Sequence, residues 1–221
     1  MTQLDRDRPL LLKLNRKKSI FGLWTIDESL EKLRHDFNIA LQEEKENLKK
    51  FKNPNRQIEW MSTRLLTYEL LDKKVIIDYN EFGKPSLRND KRQISISHTD
   101  GMVAVQTGSK YAGVDVEKIS GRVAKIAHKF LSPTELKAID IKNQLLHMYA
   151  YWGAKETIYK IYGRKALDFK KSIRIEPFKI EKEGKIIAHL KKEKITSVFH
   201  LDYFVYDASN GNKYMVVKYC E

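Results

Sequence analysis

The pattern of hydrophobic and polar positions in the first half of the chain predicts one strand, two helices and then several strands. The apolar run at 20–26 is typical of a short strand. From 27 to 51 apolar residues recur at helical spacing among charges, which predicts one long amphipathic helix. The NPN at 53–55 ends it before a second helix at 56–71. Further strands, separated by the turn signals FGKP and TDG, are predicted at 75–79, 93–97, 102–107 and 112–117.

The second half repeats this order. A helix is predicted at 122–130, and Ser132 followed by Pro133 predicts the start of helices that run through 134–162. The SNGN sequence before the last strand is typical of a hairpin. The strands of this half are predicted at 172–176, 185–190, 195–206 and 213–219. The pattern therefore predicts an α+β fold of two pseudo-symmetric halves, 1–112 and 113–221, each a small antiparallel sheet packed with helices.

The composition is that of a soluble globular protein with an anionic partner. Of 221 residues, 42% are hydrophobic and 32% are charged, and 42 Lys and Arg against 29 Asp and Glu give a formal charge of +13. This excess favours nucleic acid, a membrane surface, a phosphorylated small molecule or an acidic protein as partner. Cys220, the single cysteine, excludes an internal disulfide, and no segment approaches the roughly 18 apolar residues of a membrane span. The expected location is the cytoplasm.

Two acids lie in the strand predicted at 112–117. Side chains alternate across a strand, so Asp115 and Glu117 point to the same face and repel each other. A positive group between them would remove this cost.

A third acid, Glu156, lies in the middle of an apolar helical stripe. The stripe consists of Leu145, Tyr149, Trp152 and Tyr159. A lone carboxylate is expensive on an apolar face. One explanation is a salt bridge with Lys160 one turn on. The other is a hard cation such as Mg²⁺ that joins all three acids, with flanking lysines that bind an accompanying phosphate.

Loops before the second half add weaker signals for phosphate binding. FGKP places Lys84 in a turn with a fixed backbone, and SISHT places Ser97 and His98 at a strand end. The default explanation of His98 and of Lys84 is an ordinary surface residue. The sequence contains neither GxxxxGK[ST] nor GxGxxG, so a Walker-type or dinucleotide site is unsupported.

Taken in order, FGKP, SISHT, GVDVE and WGAKETIYK resemble the motifs of the 4′-phosphopantetheinyl transferase superfamily, most closely its two-halved type that serves carrier proteins. The four motifs span residues 82 to 160, and the last two are the specific ones. The resemblance implies an enzyme that moves the 4′-phosphopantetheine arm of coenzyme A onto a serine of an acyl or peptidyl carrier protein and releases adenosine 3′,5′-bisphosphate.

The resemblance also implies roles for individual residues. Asp115, Glu117 and Glu156 would hold Mg²⁺ against the coenzyme A pyrophosphate, with Mn²⁺ as an alternative. Lys160 would neutralise the transferred phosphate, and Glu156, directly or through a metal-bound water, would take the serine proton. The rest of coenzyme A would be bound by three groups of residues. Lys155 would lie on the nucleotide side, and Lys84, Ser97 and His98 would bind the 3′-phosphate and ribose. Arg56 or Arg64 would contribute from the first-half helix. A monomer is implied, with the active site at the seam of the halves and neither nucleic acid nor membrane as partner.

Two other classes of protein remain compatible with the residues. DVEK also fits a metal-dependent nuclease in which two acids hold Mg²⁺ and a lysine assists the attacking water, and the high positive charge suits that function. A non-catalytic basic binding module would leave the acids as solvated strand ends. The nuclease leaves FGKP, SISHT and the buried position predicted for Glu156 unexplained, and the binding module is supported by the spread of Lys and Arg along the whole chain.

Overall fold

Two antiparallel sheets divide the chain, and a computed structural model describes residues 10–16, 18–164 and 167–220. The strands of the first sheet are β1 (Leu10–Arg16), β2 (Ser19–Thr25), β3 (Ile77–Tyr79), β4 (Pro85–Leu87), β5 (Gln93–Thr99) and β6 (Met102–Gly108), in the order β1-β2-β6-β5-β4-β3. The helices of this half are α1 (Leu30–Asp36), α2 (Gln42–Leu48) and α3 (Pro54–Leu71). The sequence did not predict β1 and β4, because charged residues interrupt the first and a proline begins the second.

The second sheet has the order β7-β11-β10-β9-β8. Its strands are β7 (Val114–Lys118), β8 (Ile173–Ile175), β9 (Glu183–Lys192), β10 (Ile195–Asp207) and β11 (Lys213–Tyr219). Its helices are α4 (Arg122–Phe130), α5 (Pro133–Lys137) and α6 (Gln144–Tyr162). The predicted α+β fold with two antiparallel sheets is therefore confirmed.

The single helix predicted at 27–51 is wrong. α1 ends in a 3₁₀ turn, Phe37–Ile39, and the next two residues, Ala40 and Leu41, are extended. Asparagine and a β-branched residue in this turn are weak helix formers. The break redirects α2 so that the fully buried Glu44 reaches Arg64 of α3, with 3.0 Å between Oε2 and Nε.

Each sheet packs closely against one long helix. A Cβ added to Gly22 of β2 would lie 2.7 Å from a methyl of Leu70 in α3. A Cβ added to Gly153 of α6 would lie 2.7 Å from a methyl of Val217 in β11. Glycine at these positions lets the helix approach its sheet, and this packing fixes the position of α6.

A row of hydroxyl groups joins the two sheets. β7 runs beside β5, and alternate side chains of β5 accept hydrogen bonds from alternate backbone amides of β7. The pairs are Ser95 with Val114 (3.1 Å), Ser97 with Val116 (3.2 Å) and Thr99 with Lys118 (3.4 Å). An apolar cluster completes the junction: Phe21, Leu23, Met102, Ala104, Val114, Val116, Tyr214 and Val216. Amides that would otherwise lack partners are satisfied by side chains from the other sheet.

Among the described residues, no helix has both the length and the apolar character that a membrane span needs.

Candidate active site at the junction of the sheets

Asp115 lies in β7 on the side that faces α6, and its side chain is almost fully buried. Its Oδ1 accepts hydrogen bonds from Ser97 Oγ at 3.0 Å and from Lys160 Nζ at 2.8 Å. Its Oδ2 is buried and has no hydrogen-bond partner among the described residues. A buried carboxylate oxygen without a partner is costly, so this atom marks a place where a positive group would be stabilising.

Lys160 lies in the last turn of α6. Its Nζ donates to Ser97 Oγ at 2.8 Å, to the Val114 carbonyl at 2.9 Å and to Asp115 Oδ1 at 2.8 Å, which uses the three donors of the ammonium. Within the described chain it forms no ion pair with Glu156. The salt bridge between Glu156 and Lys160, one of the two explanations for that acid, is therefore wrong.

Glu117 and Glu156 both have a raised pKa. Burial raises the pKa of Glu117, the charge of Asp115 raises it further, and Trp152 Nε1, which donates to Oε1 at 3.1 Å, opposes the shift. Burial raises the pKa of Glu156 to about 7; the charges of Asp115 and Glu117 add to this shift, and the charge of Lys160 opposes it. The three acids are thus close enough to repel one another, as the sequence predicted for the first two.

These side chains do not form an assembled metal site. Among the described residues, no three His, Cys, Asp or Glu side chains are grouped so that they could hold a metal ion. Instead, the Lys160 ammonium neutralises Asp115. The donor set nevertheless fits a hard cation, because all donors are carboxylate oxygens, Asp115 Oδ2 has no partner, and burial together with mutual repulsion raises the pKa of the other two acids.

Two cavities that share part of their lining lie beside Lys160 and His98. The smaller, of about 140 Å³, is bordered by Lys84 and Lys160. The larger, of about 380 Å³, is bordered by Arg56 and His98. The residues common to both are Gly83, Pro85 and Ile96. A connected, cation-lined surface therefore leads away from the acids.

Lys84 crosses from the first half to the end of α6. Its Nζ donates to the Ile161 carbonyl at 3.0 Å, and burial lowers its pKa. A cation at this position is favourable because the last carbonyls of a helix carry partial negative charge. Lys84 thus orients α6 and also borders the smaller cavity.

His98 and Arg56, both expected from the sequence to bind coenzyme A, lie close together at the larger cavity. His98 Nε2 lies 3.4 Å from Arg56 Nη1, and His98 Nδ1 lies 3.5 Å from Glu59 Oε1. Burial lowers the pKa of His98, and Glu59 opposes this shift. The Arg56 side chain is 52% exposed, so its guanidinium is accessible to a ligand.

The expected role of Lys155 is corrected by its position. The side chain is fully buried, and Nζ donates to Glu135 Oε2 at 2.8 Å and to the carbonyls of Phe130, Phe169 and Ile173 at 2.8–2.9 Å. An ammonium with four protein acceptors has no donor left for a nucleotide phosphate. Lys155 instead ties α6 to the start of α5 and to β8.

Arg64 is buried and its guanidinium is largely occupied by contacts within the first half. It is 1% exposed, its Nε donates to Glu44, and its guanidinium carbon lies 3.2 Å from the centre of the Trp60 ring. The contacts of this guanidinium hold α2 and α3 together. Of the two arginines proposed on this helix, Arg56 is therefore the exposed one, while Arg64 borders the larger cavity with a buried Nη2 that has no hydrogen-bond partner among the described residues.

Ser97 also differs from its expected role. Its hydroxyl contacts Asp115, Lys160 and the Val116 amide, and the neighbouring serine that borders the smaller cavity is Ser95. The contacts of Ser97 place it with the acids rather than beside His98. The alternation of Ser95, Ser97 and Thr99 along β5 is the signal that could have indicated a polar face at a junction.

The site combines buried acids, a lysine and two cation-lined cavities, which together suit the binding of a phosphate-bearing ligand. Residues 111–213 match the family model described as the 4′-phosphopantetheinyl transferase superfamily. This match includes GVDVE and WGAKETIYK, the two specific motifs, and confirms the resemblance to the superfamily.

Two curated proteins are similar to part of the chain. A 4′-phosphopantetheinyl transferase of Bacillus subtilis is 32% identical over 88 residues, which are 38% of this chain and 39% of that protein. The 4′-phosphopantetheinyl transferase gsp of Aneurinibacillus migulanus is 29% identical over 96 residues, 42% of this chain and 40% of that protein. The chain thus spans about two fifths of the length of these relatives.

Proposed function

We propose that this protein is a 4′-phosphopantetheinyl transferase, which moves the phosphopantetheine arm of coenzyme A onto a serine of an acyl or peptidyl carrier protein and releases adenosine 3′,5′-bisphosphate. The observation that carries the proposal is the cluster of Asp115, Glu117 and Glu156 beside Lys160, next to two cation-lined cavities. The similarity of residues 111–213 to that superfamily supports it. The proposed enzyme is a monomer, in which the halves 1–112 and 113–221 both contribute residues to one active site.

Coenzyme A would lie along the two cavities. Arg56 at the larger cavity and Lys84 at the smaller supply positive charge for the nucleotide phosphates, and His98 supplies a ring nitrogen for hydrogen bonding. Lys160 borders the smaller cavity and would exchange one of its protein acceptors for an oxygen of the transferred phosphate. Such contacts orient the pyrophosphate and neutralise it, which is most of the catalysis that phosphoryl-type transfer needs.

Asp115, Glu117 and Glu156 are the residues that would hold Mg²⁺ or Mn²⁺. When bound, a divalent cation supplies positive charge to the pyrophosphate oxygens and so stabilises the leaving group. Glu156 is the candidate base for the serine proton, because it lies at the cluster and is less engaged by the protein than Asp115.

The test is incubation of the protein with coenzyme A, Mg²⁺ and several apo carrier proteins, followed by intact-mass measurement of each carrier. We expect the mass of one phosphopantetheine arm to be added, and no addition when a chelator replaces Mg²⁺. Absence of the adduct on every carrier would refute the proposal. Metal-dependent cleavage of plasmid DNA in the same preparation would favour the nuclease.

A further inference from the structure

The two halves of the chain contain the same buried ion pair at equivalent positions. Glu135 of α5 accepts from Lys155 Nζ of α6 at 2.8 Å. Glu44 of α2 accepts from Arg64 Nε of α3 at 3.0 Å. Each acid also accepts a 2.9 Å hydrogen bond from a backbone amide of the strand that follows the long helix, β8 or β3. The acid and the cation of the second half both lie 91 positions after those of the first half, so α6 and α3 are anchored in the same way.

A close contact between a glycine and the long helix repeats at the same spacing. A Cβ added to Gly22 of β2 would lie 2.9 Å from a methyl of Leu66 in α3. A Cβ added to Gly113, just before β7, would lie 2.9 Å from the carbonyl oxygen of Thr157 in α6. Because these pairs are again 91 positions apart, the counterparts of the proposed active-site residues can be identified. Asp115, Glu117, Glu156 and Lys160 correspond, in this order, to Trp24, Ile26, Leu65 and Glu69.

A cavity of about 620 Å³ lies in the first half at the position that corresponds to the smaller cavity of the active site. Four residues at the end of α6 border the active-site cavity, and their four counterparts at the end of α3 border this one. The two sets are Tyr159, Lys160, Gly163 and Arg164, and Tyr68, Glu69, Asp72 and Lys73. This space is named the first-half cavity, and the architecture shared by the halves makes it the counterpart of the active site.

The side chains of the first-half cavity give it a different chemistry. Trp24 and Leu65 border it at the positions that correspond to Asp115 and Glu156, so two carboxylates that suit a hard cation are replaced by apolar groups. Ile39 also borders the cavity and is 53% exposed. The volume lies within the roughly 300–1,000 Å³ of small-molecule sites, whose lining is mostly apolar. The cavity is therefore suited to an apolar molecule rather than to a metal-bound phosphate.

The charged residues at the first-half cavity balance one another. Besides His35, three lysines and three acids border it: Lys32, Lys73, Lys74, Asp36, Glu69 and Asp72. The smaller active-site cavity, in contrast, is bordered by three cations and, in the part of the chain that the structure describes, by no acid. A balanced lining attracts neither sign of charge, and an ionised group would lose hydration on entry. The balance therefore favours an uncharged ligand.

We propose that the first-half cavity is a second binding site, which takes a small uncharged molecule with an apolar body such as an alkyl chain. The apolar body would lie against Trp24, Ile39 and Leu65, and a polar end would face the balanced charges. The proposal goes beyond the transferase function, because no described residue borders both this cavity and either cavity of the active site.

The test is calorimetric titration of the full chain with 1-octanol in the absence of coenzyme A and Mg²⁺. We expect saturable one-to-one binding, and weaker binding of octanoate and octylammonium, which carry a charged end on the same chain. Ile39→Glu should weaken octanol binding about tenfold, because it adds a charge to the apolar lining. Val198→Glu is the matched control, since Val198 is also 53% exposed but lies on β10, and it should leave the affinity unchanged within twofold.

A second pair of variants tests the correspondence between Leu65 and Glu156. Leu65→Glu installs the acid that the active site has at the equivalent position, and we expect octanol binding to weaken about tenfold. Leu65→Met keeps the lining apolar and should bind octanol with nearly the affinity of the wild type. Thermal melting shows whether each variant is folded, and if Leu65→Glu is not, Ile39→Glu at its exposed position decides the question.

Several results would overturn this second site. Octanol binding that does not saturate, or that is equally tight in Ile39→Glu, would show that the first-half cavity does not bind it. Tighter binding of octanoate or octylammonium would refute the uncharged class of ligand. Displacement of octanol by coenzyme A with Mg²⁺ would place octanol in the active site. A chain without residues 1–9 that binds octanol when the full chain does not would assign the cavity to that segment.

Discussion

The ammonium of Lys160 lies 2.8 Å from Asp115 Oδ1, although Glu156 is the acid one turn earlier on the same helix. This ion pair joins α6 to β7 at the junction of the two sheets. It is partly shielded from water, since the Asp115 side chain is 5% exposed and that of Lys160 is 25% exposed. Lys160, which is proposed to contact the phosphate, is therefore held in place by Asp115, which is proposed to contact the metal.

Replacing Asp115 with Asn should abolish transfer without unfolding the protein. The amide keeps the shape of the carboxylate but removes the charge that the cation and Lys160 require, so we expect kcat to fall at least about 100-fold. Intact-mass measurement of the carrier reports the rate, and thermal melting reports the fold. Asp100→Asn is the control, because Asp100 forms a 2.8 Å pair with Lys118 at the same junction but is 81% exposed. Retention of full Mg²⁺-dependent activity in Asp115→Asn would remove this residue from the site.

Ser97→Ala should slow transfer more than its effect on stability explains. The substitution removes a hydrogen bond to Asp115, one from Lys160 and the acceptor of the Val116 amide. We expect about a tenfold loss of kcat and a loss of about 1 kcal/mol in the free energy of unfolding.

Thr99→Ala is the matched control for Ser97→Ala. It removes a hydroxyl that accepts from the Lys118 amide in the same row. We expect a similar loss of stability and an unchanged kcat. Equal effects of the two substitutions on kcat would mean that Ser97 only helps to join the sheets.

The raised pKa of Glu156 predicts how the stability of the metal-free protein depends on pH. The carboxyl titrates near its ordinary value of 4.5 when unfolded and at about 7 when folded, so between these values the folded state binds more protons. The free energy of unfolding contributed by this group therefore falls as pH rises from about 4.5 to 7, and the loss is complete above 7.

Glu156→Gln should remove this pH dependence. In the presence of a chelator, we expect the variant to be about 1–2 kcal/mol more stable than the wild type at pH 8 and to lose that advantage at pH 4. Urea unfolding at several pH values measures the difference. The same substitution at Glu183, an exposed position at the start of β9, should show no such trend. A Glu156→Gln advantage that is constant with pH would contradict the prediction.

Lys155→Met should destabilise the protein and should not act through coenzyme A binding. It leaves the buried Glu135 without its cation, which we expect to cost about 3–5 kcal/mol. Chemical denaturation measures this loss, and Lys185→Met on the exposed side of β9 should cost almost nothing.

A second substitution tests whether the lost charge pair is the cause. Adding Glu135→Gln to Lys155→Met should recover part of the lost stability, because the uncompensated carboxylate is then absent. A fully stable Lys155→Met with a raised KM for coenzyme A would instead restore the role expected from the sequence.

The sequence by itself determined the elements that carry the site. Alternation in β7 placed Asp115 and Glu117 on one face, and helical spacing placed Glu156 in an apolar stripe of α6. Both are local periodicities of the backbone, so they can be read without knowledge of the neighbours. The order of helices and strands, repeated once, was sufficient for the fold class.

The tertiary structure alone decided which polar residues reach the site. Lys155 and Lys160 lie on different faces of α6. Elements α5 and β8 cover the face of Lys155, whereas β7 lies beside the face of Lys160. The sequence does not show which elements cover which face. Arg56 and Arg64 differ in burial: Arg56 is exposed, whereas Arg64 is buried in an ion pair with Glu44. That ion pair depends on the break after α1, which places Glu44 beside α3. Burial and hydrogen-bond partners arise from elements distant in the chain, and local periodicity contains no information about them.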